Sequence, residues 1–292
     1  MTENMRLIVA VEEEGDGKIL FKQSYSDYVQ GNRDIEITSC TSGRKLFDIL
    51  VDELGYIRYE DNSVAFKYVI ESNKNRSVMR LLGKIAEAII VRDCREFEEV
   101  NKKWFSIARR KRAKRSTASR YTALGTGLLY TKNNYATFYN PSDPQRDIIW
   151  VNPQTKMTSI MPQDRITEAT VAGLQIKVST NGISYVYPEV IKGRYEVPLV
   201  YFDLNRDFDE IAQRLYEERR DVIIGEDFIS ARAVDFREYE ELVDYKELVR
   251  GLIDERITPD YLINVQGQND EILRTAILSS TLEEVQIDNI LL

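Results

Sequence analysis

Apolar positions along the first 76 residues fall into short runs that predict a small α/β unit. Met5–Val11 reads as a strand, and Lys18–Gln23 as its hairpin partner across the turn signal Gly15-Asp16-Gly17. Leu46, Phe47, Leu50 and Leu54 recur at helical spacing, which predicts a helix over Arg44–Leu54. Ser63–Glu71 alternates as a strand does. A stronger helix follows: Val78, Leu82, Ile85, Ala86, Ile89 and Ile90 form one broad apolar stripe, with Ser77 placed to cap it. The pattern stays helical through Glu96–Lys114, with Val100, Trp104, Ile107 and Ala108 inward.

Tyr-rich, Gly-punctuated segments come next, and then three short strands: Asp147–Val151, Val171–Ser179 and Val197–Leu204. Phe208–Glu218 is amphipathic and helical. Leu242, Tyr245, Leu248, Val249 and Leu252 predict a further helix beyond Phe236, and the tail from Asn269 reads as another. The expected fold is α/β: a mixed sheet flanked by helices, with a small N-terminal α/β unit and a helical C-terminal region. The expected boundaries are 1–76, 77–220 and 221–292.

Composition narrows the chemistry. With no histidine among 292 residues, a Ser-His-Asp triad, a Cys-His pair, a His-Glu-x-x-His zinc site and a histidine base are all excluded. Cys40 and Cys94 form no Cys-x-x-Cys and read as small apolar groups in a reducing cytoplasm. The N-terminal segment does not read as a signal peptide, and no apolar run reaches the ~20 residues of a membrane span. Walker A and EF-hand patterns are missing, and the lone Gly125-Thr126-Gly127 reads as a turn. The acidic clusters Glu12–Glu14 and Glu238–Glu241 read as solvated faces.

The informative constellation is Glu87, Asp147, Gln175 and Lys177. Strand alternation puts Gln175, Lys177 and Ser179 on one face and Leu174, Ile176 and Val178 on the other. Asp147 opens a neighbouring strand. A carboxylate beside a Gln and a Lys makes an oxygen-lined cage with one cation, which suits a hard ion such as Mg²⁺. The lysine can orient or deprotonate a water, or place charge at a phosphate. The plain alternative is that Gln175 and Lys177 are surface residues of an ordinary strand.

The helix LLGKIAEAII with Glu87, the strand RDIIWV with Asp147 and the strand GLQIKVS with Gln175 and Lys177 resemble the PD-(D/E)xK nuclease superfamily, over roughly Ser77 to Arg220. In that family an acid-bearing helix precedes the Asp strand, the (D/E/Q)-x-K strand follows, and a helix then packs across the sheet. The resemblance implies a restriction-endonuclease-like core and a DNA nuclease using Mg²⁺ or Mn²⁺. Asp147, Glu87 and Gln175 would ligate the metal, and Lys177 would activate water. The sequence departs from the family pattern in having Arg146 before Asp147 and Gln175 in place of an acid.

A second signal is the basic run Lys102–Arg120, which holds Lys102, Lys103, Arg109, Arg110, Lys111, Arg112, Lys114, Arg115 and Arg120 and no acid. Setting those nine charges aside leaves −17 of the formal −8 on the rest of the chain. The run suits a phosphate backbone, with Trp104 and Phe105 available for base stacking. It equally suits pairing with the chain's own acids. A different class of function therefore stays open: a non-catalytic protein that docks on a DNA-processing complex, possible as a homo-oligomer. The length and acidic balance resemble phage anti-defence proteins such as the Gabija inhibitor, which act in the host cytoplasm.

Overall fold

The computed structural model describes residues 8–12, 19–24, 45–60, 63–111, 115–161 and 170–262. The chain divides into two compact units. The first takes the described residues up to Asp48, Tyr59–Phe66 and those from Asp244 onward; the second takes Ile49–Arg58 and Lys67–Val243.

In the first unit, β1 (Ile8–Glu12) and β2 (Ile19–Ser24) pair antiparallel, as the hairpin reading expects, with Ile8 opposite Ser24. The register shifts between Val11 and Glu12. Residues 45–48 are helical; the π-helical turn that follows, Ile49–Glu53, belongs to the second unit. Strand β3 (Ile57–Glu60) pairs with β4 (Ser63–Phe66), which is shorter than the strand expected over Ser63–Glu71. The expected turn at Gly15–Gly17, the acids Glu13 and Glu14, Cys40 and the helix from Asn269 lie outside the described residues.

The second unit is built on helix α1 (Lys74–Glu96). Leu81, Leu82, Ile85, Ala86, Ile89 and Ile90 are wholly buried, each large side chain contributing about 1.5–3 kcal/mol. The helix starts one turn before the expected cap. Asn73 is the N-cap, its side chain accepting from the Arg76 amide at 3.1 Å. Ser77 is buried inside the helix, and its hydroxyl accepts from the Glu71 amide at 2.8 Å. The expected continuous helix to Lys114 is interrupted at Phe97, whose extended backbone (φ −116°, ψ 114°) separates α1 from α2 (Glu98–Ala108).

A short α3 (Arg115–Ala118) leads into a five-stranded mixed sheet. Its strands, in spatial as in chain order, are β5 (Thr122–Gly125), β6 (Ile148–Val151), β7 (Gly173–Ser179), β8 (Leu199–Asp203) and β9 (Phe228–Ser230). The β5–β6 and β6–β7 pairs are antiparallel; β7–β8 and β8–β9 are parallel. Parallel pairs require crossovers. Helices α5 (Gly182–Tyr185) and α6 (Tyr187–Ile191) carry the chain from β7 to β8, and α7 (Phe208–Glu218) from β8 to β9. All five residues of β8 are buried, as expected for a strand covered on both faces. Helix α4 (Leu129–Asn134) follows β5; α8 (Ala231–Val234) and α9 (Phe236–Ile253) follow β9. Among the described residues no helix is long and apolar enough to cross a membrane.

Candidate functional site

Three of the four residues singled out in the sequence meet where α1 crosses β7. The strand register explains why. Ile148 faces Leu174 across the antiparallel β6–β7 pair, so the next step along each strand sets Asp147 beside Gln175. The Asp147 amide donates to Leu174 O at 2.9 Å and holds that register at the strand mouth. Asp147 Oδ2 accepts from the Ile176 amide at 2.8 Å and from Gln175 Nε2. Gln175 is therefore buried, at 6% exposure, and is not a surface residue of β7.

Glu87 comes from α1 and is 3% exposed, although it sits off the centre of the apolar stripe. It hydrogen-bonds to Asp147, and the two carboxyls form one coupled pair. Burial pushes Glu87 well above the usual carboxylate range, and the neighbouring Asp147 charge pushes the same way. Asp147 is also raised by burial, against opposing pulls from Lys84, the Ile176 amide and Lys177.

The sequence pattern did not single out Lys84. Its ammonium lies 2.7 and 3.0 Å from the two Glu87 oxygens and 4.0 Å from Asp147 Oδ1. Burial alone would lower this ammonium's pKa, but Glu87 and Asp147 outweigh burial and raise it. The Gly125-Thr126-Gly127 segment is the expected turn, and it walls this corner. Thr126 donates through its amide to Asp147 O at 2.8 Å, and a Cβ at Gly127 would lie 3.7 Å from Lys84 Nζ.

Lys177 shares the site face of β7, but its ammonium is directed elsewhere. It lies 3.3 Å from Glu189 Oε2 and 5.3 Å from the ring centres of both Tyr185 and Tyr195. Burial pulls its pKa down, but the Tyr195 hydroxyl, Tyr185 and Glu189 overcome that and hold it above the ordinary lysine value. Glu189 also accepts from Tyr195 OH and Arg194. Lys177 is thus a fixed cation, close enough to Asp147 to favour that carboxylate.

The basic run is largely engaged with the chain itself. Lys102 pairs with Glu98 at 3.0 Å and Glu99 at 2.7 Å, Lys103 with Asp235 at 2.5 Å, and Arg110 with Asp227 at 2.8 Å. Arg109 donates to Ser159 Oγ at 3.3 Å and lies over the Phe105 ring. Lys111 and Arg120 are exposed; Arg112, Lys114 and the Arg115 side chain lie outside what is described. Trp104 and Phe105 are wholly buried, which removes them as stacking platforms for bases. Trp104 Nε1 instead donates to both oxygens of Glu238, at 3.1 and 2.9 Å. Glu238 is itself wholly buried, so the cluster Glu238–Glu241 is not the solvated face its charge suggests.

As a cation site, the cluster offers two carboxylates and one amide oxygen. Among the described residues no group of three or more His, Cys, Asp or Glu is placed to hold a metal ion. The donors still suit a hard divalent ion that keeps several waters. A positive charge, the Lys84 ammonium, already rests against both carboxylates. Neither protein-family models, nor curated proteins, nor solved structures give a match to this chain.

Proposed function

We propose that the chain is a divalent-metal-dependent nuclease of the PD-(D/E)xK type, hydrolysing phosphodiesters of DNA. The observation that carries this reading is the meeting of Glu87, Asp147 and Gln175 beside Lys177, from a helix and two adjacent strands in the order the resemblance implies.

Asp147, Glu87 and Gln175 would hold Mg²⁺ or Mn²⁺. When bound, the ion supplies Lewis acidity toward water and a phosphate oxygen. Asp147 has Oδ2 committed to the Ile176 amide and Gln175, which leaves Oδ1 as its outward ligand atom. With Gln175 Nε2 committed to Asp147, the amide oxygen is the atom that remains for coordination. Lys177 is held protonated, so it acts through charge and hydrogen bonding on a phosphate oxygen rather than by taking a proton from water. In the overall step a bond forms from water oxygen to phosphorus, a P–O ester bond breaks, and one proton of the water ends on the departing oxygen.

The second reading is a non-catalytic protein that docks on a DNA-processing complex, as phage anti-defence proteins do. Two observations favour it: Lys84 already neutralises the carboxylate pair, and Lys102, Lys103 and Arg110 are paired within the chain. Incubation of purified protein with DNA and Mg²⁺ or Mn²⁺, with EDTA as control, separates the two. The nuclease reading expects cutting that Asp147→Ala and Lys177→Ala each abolish without unfolding the protein. Absence of cutting by folded wild type, or cutting unchanged in both variants, rejects it.

A further inference from the structure

We infer that Lys84 is a built-in counter-cation of the carboxylate pair, and that a divalent ion enters the site only by displacing its ammonium. This rests on the metal-dependent reading and specifies how that site is regulated.

The argument starts from charge. Glu87 and Asp147 are 3% exposed and nearly buried respectively, and two carboxyls brought together away from water repel each other. One lysine on the same helix, one turn earlier, relieves that repulsion. Lys84 places its ammonium 2.7 and 3.0 Å from the Glu87 oxygens and 4.0 Å from Oδ1, the Asp147 oxygen that the Ile176 amide and Gln175 do not occupy.

A divalent ion held by Glu87 and Asp147 would compete with the ammonium for these oxygens. It would also add two positive charges beside an ammonium a few ångströms away, and like charges at that distance cost several kcal/mol even at an effective dielectric of ~20. The lysine must therefore leave. Its four-carbon stem permits this, because the side chain is 26% exposed while those of Glu87 and Asp147 are 4% and 13% exposed. Helical spacing keeps Lys84 tethered next to the site, so it competes as an intramolecular ligand whose local concentration does not fall on dilution. The resting site thus sets one ammonium against its two carboxyls, and the helix itself supplies the competitor to a divalent ion.

Removing the ammonium should tighten divalent binding. The test is Mn²⁺ binding by isothermal titration and by electron paramagnetic resonance for wild type, Lys84→Met, Lys84→Arg and Asp147→Asn. Met keeps the length of the stem and removes the charge; Arg keeps the charge. Lys84→Met should bind Mn²⁺ about tenfold more tightly than wild type or beyond, equivalent to about 1.4 kcal/mol. Lys84→Arg should stay within a few-fold of wild type, and Asp147→Asn should lose binding.

If Lys84→Met binds Mn²⁺ no more tightly than wild type while Asp147→Asn loses binding, the counter-cation idea is overturned and the metal site stands. If Asp147→Asn binds as wild type does, or no variant binds, the metal-dependent reading falls and the inference with it. Should Lys84→Met fail to fold, the wild type answers alone. Its Lys84 side-chain ammonium, followed by ¹H–¹⁵N NMR during Mg²⁺ titration, should pass from slow to fast exchange with water as the ion enters. A Lys84 signal that stays slow at saturating Mg²⁺ overturns the proposal.

Discussion

Replacing Glu238 by Gln should flatten the pH dependence of stability between about pH 5 and 8. Glu238 is wholly buried on α9, and its only described side-chain donor is Trp104 Nε1. Burial is the main reason its pKa rises from 4.5 to about 8; the nearby Asp235 and Asp93 push the same way, and Trp104 and Lys103 oppose them. In the unfolded chain the group titrates near its ordinary value. Between these two values the folded protein therefore holds a proton that the unfolded chain has released. Stability from this group is fully present below about pH 4.5 and is lost as pH rises through about 8. The slope is at most about 1.4 kcal/mol per pH unit, which sums to a few kcal/mol across the window. Gln has nearly the same shape, is neutral at every pH, and can still accept the indole N–H through its oxygen. Chemical denaturation of wild type and Glu238→Gln at pH 5, 6, 7 and 8 reads the effect directly. Titrations of other groups largely cancel in the difference, which should move in favour of Gln by about 1 kcal/mol per pH unit in the upper part of the window. A difference that stays constant with pH would show that Glu238 is ionised in the folded protein, and the reasoning from burial would fail.

Three further outcomes follow from other contacts. A Cβ at Gly173 would lie 2.6 Å from Ile148 O, so Gly173→Ala should force β6 away from β7, lower the melting temperature and weaken Mn²⁺ binding by displacing Asp147; unchanged binding would show that the β6–β7 register does not set the site. Asn101→Ala removes the acceptor of the buried Trp150 Nε1–H at 2.8 Å and the donor to Tyr121 O at 2.9 Å, and should cost about 1–3 kcal/mol by denaturant titration, with a loss below about 0.5 kcal/mol counting against it. If the chain binds DNA through the basic run, replacing the exposed Lys111 and Arg120 together by Gln should lower the salt slope of binding by about two, whereas Lys103→Gln should mainly lower the melting temperature through its partner Asp235; equal effects on affinity would reject that division.

Much of the core was legible because its elements repeat. The period of α1 and the full span of α7, Phe208–Glu218, stand as the sequence pattern implies, whereas β7 is buried along almost its whole length instead of alternating. The misread points are places where one residue type serves two environments. Ser77 is a good cap by chemistry, but Asn73 stands one turn earlier and takes the position, while the Ser77 hydroxyl closes the preceding chain through Glu71. The break at Phe97 has no glycine or proline to announce it. Trp104 stands inward as its helical spacing implies; the base-stacking reading of Trp104 and Phe105 fails because both are in the interior while Lys102 and Lys103 remain around them at the surface.

The site divides along the same line. Asp147, Gln175 and Lys177 could be placed from strand alternation, because alternation fixes a face and neighbouring strands share it. Lys84 could not. A lysine three residues before a glutamate on a helix reads as an ordinary exposed ion pair, worth a few tenths of a kcal/mol. Its significance comes from Asp147, which lies 60 residues beyond Glu87 and approaches because β6 pairs with β7, the strand that α1 crosses. The same pair on a solvated helix would be screened and of small consequence, whereas here the Lys84 ammonium lies against two carboxyls whose side chains are 4% and 13% exposed. A local spacing rule carries no information about burial supplied by a distant strand. Charged residues at helical spacing on the buried side of a predicted helix are therefore the positions where a sequence reading should look for a partner across the fold.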